Sequence, residues 1–189
     1  PREARAGAGH APRRIGRRFL TRAGLIGVRI AMVGTRGVPA KYGGFETCVE
    51  EVGTRLAAAG HEVVVYCRGA EPDDRLASFQ GMELVHLPAM RKRSLETLSH
   101  TALSVAHLVS RRKVDVVLLF NAANSVLIPP LRVRRMPIAT HVDGLEWRRA
   151  KWGKTGRRYY RMAEALSVRW STALIADAQG ISDYYEAEF

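Results

Sequence analysis

"RIAMVGTRGVPAKYGGFE", residues 29–46, joins a short apolar run to a loop that contains four glycines. The apolar run is typical of a buried strand. Behind the loop, apolar residues recur at helical spacing up to Gly60, which predicts an amphipathic helix that ends there. A glycine-rich connection between a strand and a helix indicates a possible phosphate-binding loop, because the free amides at a helix N-terminus attract anions.

Five more short runs of apolar, often β-branched residues follow, and each predicts a strand that is buried on both faces. They are residues 62–67, 82–87, 115–120, 137–142 and 173–177. Another helical pattern extends from Leu95 to Val109, with Ser94 as its expected cap. Strands that alternate with helices predict an α/β fold: a doubly wound, mostly parallel sheet with helices on both faces. In such a sheet the ligand crevice lies at the carboxyl ends of the strands.

The composition is that of one folded domain with anionic partners. The chain has 189 residues, 47% of them apolar and 25% charged, and its formal net charge is +12. Residues 1–28 hold seven arginines against Glu3, so +6 (7 − 1) lies in this segment. Such a balance favours nucleotides, nucleic acid or an anionic membrane surface without choosing among them. Cys48 and Cys67 are too few for a disulfide scaffold, which fits a reducing cytoplasm. No apolar stretch reaches the roughly 18 to 20 residues of a membrane-spanning helix.

The loop matches neither of the common phosphate-binding patterns. A Walker loop requires Lys and then Ser or Thr after its last glycine, and a dinucleotide fingerprint requires G-x-G-x-x-G. The second strand ends in Cys67 and Arg68 rather than in the acid that holds a ribose, which disfavours NAD and leaves an NADP-dependent oxidoreductase as an alternative. We expect a pyrophosphate to lie over Gly43 and Gly44, with Glu46 facing a sugar hydroxyl. A plain strand-to-helix turn is the other interpretation.

A second candidate site follows the fifth predicted strand, in the sequence THVDGLEW of residues 140–147. In an extended segment His141 and Asp143 point the same way, at the carboxyl edge where the crevice is expected. We therefore take both as candidate catalytic residues. The alternative is a structural histidine followed by a turn at Asp143 and Gly144.

Basic and aromatic residues are interleaved in the next segment. The predicted surface for a membrane or an acceptor consists of Trp147, Arg148, Arg149, Lys151, Trp152, Arg157 and Arg158. Such a surface can bind phosphates or an anionic bilayer, where each basic side chain near the lipid contributes about 1 kcal/mol. The competing interpretation is a solvated helix face whose aromatic rings pack inward. No nucleic-acid-binding motif is present. Asp73 and Asp74 lie in a polar segment without further ligands, so no metal site is expected.

Three segments, RIAMVGTRGVPAKYGGFET, THVDGLEWRRAKW and ADAQGISDYY, resemble the N-terminal half of bacterial rhamnosyltransferase-like sugar transferases. That group is similar to glycosyltransferase family 4 and belongs to the retaining nucleotide-sugar enzymes with two Rossmann-like domains, the GT-B architecture. The resemblance implies transfer of a sugar from a nucleotide donor to a glycan or lipid-linked acceptor in envelope polysaccharide synthesis. It also implies a location at the cytoplasmic face of the membrane and chemistry without a metal or other cofactor.

The same resemblance implies roles for individual residues. Gly43 and Gly44 correspond to the loop that approaches the donor phosphate and the acceptor, and His141 resembles the active-site histidine beside the donor sugar. The family places its nucleotide pocket in a second Rossmann-like domain, for which 189 residues leave no room. We therefore expect residues 28–189 to be the acceptor-side domain, truncated before the donor domain and inactive alone. A standalone sugar-binding or phosphate-binding module is the alternative.

Both ends of the chain carry expectations of their own. Residues 1–27 have no apolar periodicity and no counterpart in the family, which predicts either a disordered basic tail or upstream sequence ahead of a true start at Val28. N-terminal sequencing of the native protein tests the second idea, which expects Met in place of Val28. At the other end, GISDYYEAEF begins like a helix capped by Ser182 and has no stop signal at Phe189, so we expect the chain to end within a helix.

Overall fold

The computed structural model describes residues 27–41, 43–69, 75–91, 95–150 and 152–189. The strands in these ranges are β1 (Arg29–Val33), β2 (Glu62–Arg68), β3 (Ser78–Phe79), β4 (Met82–Leu87), β5 (Val116–Phe120), β6 (Ile138–Val142) and β7 (Ala173–Ala176). The helices are α1 (Gly44–Ala58), α2 (Glu96–Arg111), α3 (Ile128–Val133), α4 (Lys154–Trp170) and α5 (Gln179–Glu188), with 3₁₀ helices at Ala122–Leu127 and Glu146–Arg148. None of the helices in the described ranges is long and apolar enough to cross a membrane.

The described strands form one sheet in the order β3-β4-β2-β1-β5-β6-β7. Neighbouring strands are parallel, except that β3 is antiparallel to β4. The chain moves outward from β1 to β4 and then crosses back through α2 to β5, so the strand order reverses between β1 and β5. The predicted doubly wound, mostly parallel α/β sheet is confirmed in a Rossmann-like form. Its topological switch point lies between β1 and β5, where such sheets bind ligands.

Apolar side chains of the inner strands alternate between the two faces of the sheet. In β1, Ala31 and Val33 belong to a buried layer that includes residues of α2 and α3. Ile30 and Met32 belong to the opposite layer, which includes residues of α1. Full burial of a side chain such as Met32 contributes about 1.5 to 3 kcal/mol, so the alternation fixes the strand register. Helices therefore cover both faces, as predicted.

The last strand differs from the prediction of burial on both faces. β7 is the edge of the sheet, and Ile175 keeps 40% of its surface exposed while Ala173 and Ala176 are also exposed. Leu174 joins the apolar cluster around Tyr185 of α5. An edge strand has a neighbour on one side only, and an apolar run in the sequence does not reveal which strand takes that position.

Other boundaries also differ from the sequence-based expectation. The antiparallel β3, the 3₁₀ segment after β5 and α3 were not predicted. Helix α5 begins at Gln179, after Ala178, so Ser182 lies inside the helix rather than at its cap. Ser94, Asp73, Asp74, Lys151 and residues 1–26 lie outside the described residues.

Candidate functional site

The switch point is closed at its base by contacts between the ends of β1 and β5. The Asn124 Nδ2 donates to the carbonyl of Phe120 at 2.8 Å and lies 3.5 Å from the carbonyl of Gly34. Asn124 is fully buried. This asparagine therefore fixes the start of the glycine-rich loop against the end of β5.

The first two glycines of the loop are required by packing. Gly34 and Gly37 both have positive φ, at +103° and +100°. A Cβ atom on Gly34 would lie 2.4 Å from the carbonyl oxygen of Phe120, and one on Gly37 would lie 2.4 Å from the Sγ of Cys67. Both residues are buried. They allow the loop to pass close to the sheet, and they are not exposed to a ligand.

The other two glycines lie at the N-terminus of α1, where a ligand has access. Gly43 precedes the helix with φ +107°, and nothing lies within 4 Å of a Cβ placed on Gly44. The Glu46 carboxylate turns back over this end of the helix: its Oε1 accepts from the Arg36 amide at 3.1 Å. Its Oε2 lies 2.3 Å from the position of a Cβ on Gly43. A pyrophosphate over Gly43 would therefore meet a carboxylate, whereas the space beside Gly44 is open.

His141 lies near the carboxyl end of β6 and packs against α1. Its ring is stacked with that of Phe120, at 5.5 Å between centroids, and makes an edge contact with Phe45 at 5.3 Å. The residue is 7% exposed, and its buried Nδ1 has no hydrogen-bond partner among the described residues. Burial lowers the pKa of His141, while the Asp177 carboxylate raises it by a smaller amount. At neutral pH the imidazole is therefore uncharged.

Asp177 is a crevice residue that the sequence analysis did not include. It follows β7 directly, and its charge acts on the pKa values of both His141 and Cys48. The available signal was its position as the last residue of the predicted strand 173–177, since the ligand crevice is expected at the carboxyl ends of the strands. The structure thus adds an exposed carboxylate to the edge that carries His141.

Asp143 has different neighbours from His141. Burial, and to a smaller extent the Glu146 carboxylate, raise the pKa of Asp143 to about 6, although Arg149 acts to lower it. These neighbours lie in the segment that leads to α4, while the ring of His141 faces α1. The two predicted catalytic residues are two positions apart in the sequence, and the structure places them in separate electrostatic surroundings.

The predicted membrane or acceptor surface separates into two groups. Glu146 is 7% exposed and accepts from the Trp152 indole at 3.2 Å, and Arg149 forms an ion pair with it at 2.9 Å. Trp152 and Arg149 therefore belong to a structural cluster. Trp147, Arg148, Arg157 and Arg158 instead line an open depression of about 480 Å³, together with Arg161 and Glu188.

Arg68 is the residue that leaves an NADP-dependent oxidoreductase as an alternative, because a guanidinium at this position can bind the 2′-phosphate of NADP. In the structure this side chain already has partners within the protein. Its NH2 donates to the Thr97 hydroxyl at 2.6 Å, and its NH1 forms an ion pair with Glu96 at 3.2 Å. The side chain is 11% exposed. It therefore joins β2 to the start of α2. Among the residues that the structure describes, no group of three or more His, Cys, Asp and Glu side chains could hold a metal ion.

The fold and this crevice define a Rossmann-like domain with its ligand edge at the ends of β1, β5, β6 and β7. The family model for the glycosyl transferase 4-like domain matches residues 43–189, which is most of the chain. The chain belongs to this family. Its sheet has the form expected of one half of a GT-B enzyme.

Comparisons with individual proteins are less informative. No curated protein sequence matches the chain. Among solved structures, the apo form of translation elongation factor SelB from Methanococcus maripaludis is similar, with 10% sequence identity and a TM-score of 0.34. The match covers 87% of this chain and 36% of that protein, so this chain spans little more than a third of its length. So distant a likeness carries no functional argument.

Proposed function

We propose that this chain is the N-terminal, acceptor-side domain of a retaining glycosyltransferase. It moves a sugar, with rhamnose as the first candidate, from a nucleotide sugar to a glycan or lipid-linked acceptor of envelope polysaccharide synthesis, at the cytoplasmic face of the membrane. Membership of the glycosyl transferase 4-like family supports the transferase class. The observation that carries the site is the contact between His141 and Phe45, which joins the end of β6 to the first turn of α1.

In this proposal His141 acts as an uncharged hydrogen-bonding group beside the donor sugar. Its lowered pKa supports this role, because a neutral imidazole offers one donor and one acceptor nitrogen without adding charge to the crevice. The open side of Gly44 gives a ligand access to the amides at the start of α1, where the helix carries about half a positive charge. Asp143, with a pKa of about 6, is able to exchange a proton near neutral pH.

A double comparison at His141 tests this role in the full-length protein that contains this chain and its donor domain. His141→Ala is expected to lower turnover by about tenfold or more, which is roughly 1.4 kcal/mol of transition-state stabilisation. His141→Phe keeps a ring between Phe45 and Phe120 and removes both nitrogens, so it should lose as much activity while remaining folded. Wild-type turnover in the Phe variant would assign His141 to packing alone.

The donor domain is expected to supply the groups that stabilise the leaving phosphate. Such electrostatic stabilisation is often the largest contribution to catalysis, so residues 1–189 alone should transfer no sugar. Turnover by the purified chain with a nucleotide sugar would contradict the proposed division between two domains.

We also propose that the exposed arginines after β6 contact an anionic bilayer. Arg148, Arg157 and Arg158 are exposed, and each basic group near anionic lipid contributes about 1 kcal/mol. Binding to phosphatidylglycerol vesicles should weaken steeply as salt is added, and also on charge reversal at Arg157 and Arg158. Binding that is absent or insensitive to salt would leave these arginines as a solvated helix face.

A further inference from the structure

A depression beside α4 is lined by arginines gathered around one indole ring. The guanidinium groups of Arg148 and Arg161 lie over the Trp147 ring, at 5.1 Å and 5.2 Å from its centroid. Arg157 and Arg158 reach the same depression from the beginning of α4. Arg148 lies directly after Trp147, and Arg161 lies one helical turn after Arg157 in α4. Separate parts of the chain therefore converge here. The volume of about 480 Å³ is large enough for more than a single phosphate group.

The positive charge of this depression is mostly uncompensated. Among the described residues that line it, Glu188 is the one carboxylate, and it is paired with Arg161 at 2.9 Å. Among the described residues, Arg148, Arg157 and Arg158 have no carboxylate within ion-pair distance. Three guanidinium groups therefore share one surface without a counter-charge, which is unfavourable unless an anion binds.

Helix α4, which contributes three of the four arginines, adds to this imbalance. α4 begins at Lys154 after Gly153, without a side-chain cap and without an acidic residue in its first turn. The N-terminus of a helix carries about half a positive charge, which acids stabilise and bases destabilise. Lys154, Arg157 and Arg158 therefore lie near the end of α4 where basic residues are least favourable, and a bound anion would offset this cost.

The floor of the depression is held in place by hydrogen bonds that extend into the core. The Trp147 indole and Arg161 both donate to the Tyr184 hydroxyl, at 3.2 Å and 2.7 Å. Tyr184 in turn donates to Glu164 at 2.9 Å, and Glu164 is 2% exposed. The ring and one guanidinium are thus fixed before any ligand arrives, which lowers the entropic cost of binding.

We propose that this depression binds the diphosphate group of a lipid-linked acceptor. Guanidinium groups match phosphate oxygens in pairs, and several of them spread over one pocket suit two linked phosphates better than one. Two guanidiniums already lie over the indole, so the pocket offers cations rather than an open aromatic face for a nucleotide base. The assignment to an acceptor rests on the proposed function.

The position along the chain fits such an acceptor. Trp147 follows Asp143 by four residues, so their Cα atoms are at most about 14 Å apart. A glycan attached to a diphosphate at Trp147 can therefore extend toward the crevice of His141 and Asp143. The diphosphate would position the acceptor without taking part in the chemistry.

The test titrates inorganic pyrophosphate into the purified 189-residue protein and follows the indole N–H signals by NMR, with Trp147→Phe identifying the Trp147 signal. A saturable shift of that signal with one-to-one stoichiometry is expected. Arg157→Gln/Arg158→Gln should weaken binding at least about tenfold, because two charge-assisted contacts are lost. The matched control is Arg134→Gln/Arg169→Gln, which removes the same charge from exposed positions outside the depression and should leave binding unchanged. No saturation, or equal weakening in the control, overturns the site.

Competition then distinguishes the sources of the diphosphate. At equal vesicle charge, phosphatidylcholine vesicles that contain polyprenyl diphosphate should displace pyrophosphate at concentrations at least about tenfold lower than phosphatidylcholine vesicles that contain phosphatidylglycerol, which contact the same arginines through charge alone. Equal displacement by the two kinds of vesicle would mean that the depression recognises charge and not a diphosphate. Displacement by soluble uridine diphosphate but not by the diphosphate lipid overturns the lipid-linked assignment. Sugar transfer by the full-length protein is measured separately: pyrophosphate binding without transfer contradicts the proposed function and leaves the site standing, whereas transfer without pyrophosphate binding overturns the site alone.

Discussion

Helices α1 and α4 begin in the same way and carry opposite charge. Each follows a glycine without a side-chain cap, Gly43 in one case and Gly153 in the other. The first turn of α1 contains Glu46, whose carboxylate accepts from the loop amide of Arg36, whereas the first turn of α4 contains no acid. The N-terminus of α1 is therefore partly neutralised by its own chain, on the side of Gly43, and that of α4 is not.

This difference runs against the impression that the sequence gives of the two helix ends. The glycine-rich loop before α1 resembles a phosphate loop, yet two of its glycines serve packing and its helix already faces a carboxylate. The start of α4 has no glycine-rich pattern before it, yet Arg148, Arg157 and Arg158 lack counter-charges among the described residues. The charge balance of a helix end, rather than the number of glycines before it, indicates where an anion binds.

The largest expected effect is a difference in stability between substitution of a glycine that packs against the sheet and substitution of a glycine that faces the crevice. Gly37→Ala should lower the free energy of unfolding by about 3 kcal/mol or more, because the new Cβ would overlap Cys67 at a residue with positive φ. Gly44→Ala should change it by less than about 1 kcal/mol, since the space beside it is open. Urea unfolding of both variants provides the measurement. Equal losses would mean that the whole loop is structural.

The next-largest expected effect is the pH dependence of stability that the raised pKa of Asp143 causes. The folded protein holds the Asp143 proton up to pH about 6, while the unfolded chain releases it near the ordinary value of 3.8. Stability should therefore fall as pH rises through this interval, by at most about 3 kcal/mol, and should change no further above pH 6 on account of this group.

Asp143→Asn removes this pH dependence and should raise the stability at pH 7. Urea unfolding at pH 4, 5, 6 and 7 gives the slope for the wild type and the variant. Asp183→Asn is the matched control, because Asp183 is exposed and lies in α5. A wild-type slope that persists in Asp143→Asn would assign it to another group.

Much of this organisation could be predicted from the sequence. The inner strands and α1 follow from the spacing of apolar residues, and His141 lies at the carboxyl edge because it occurs near the end of an apolar run. Helix α3 had a usable signal, since Pro129 and Pro130 lie in its first turn, where proline is favoured. The exposure of β7 depends on strand order, which local patterns do not contain.

The division of the basic segment could not be predicted in the same way. Whether Arg149 or Arg148 remains free depends on Glu146, which is buried and bound by both Trp152 and Arg149. Likewise, the contact of Trp147 with Tyr184 joins residues that are 37 positions apart. Such contacts join residues that are distant in the sequence, and they produce no periodic pattern in it. The depression can therefore be recognised only when α4 and α5 are in place.

The smallest expected effect compares the two helix ends directly. Lys154→Glu places an acid at the first residue of α4 and should stabilise the protein by about 0.5 to 1 kcal/mol at low salt, because it complements the helix dipole and the neighbouring arginines. Glu46→Gln removes the corresponding acid from α1 and should destabilise by a similar amount, to which the weakened bond to Arg36 adds. Urea unfolding at low and at high salt provides the measurement, since screening should shrink both changes. The two variants should thus have opposite signs, and a loss of stability in Lys154→Glu would mean that the charge of α4 is already compensated in the free protein.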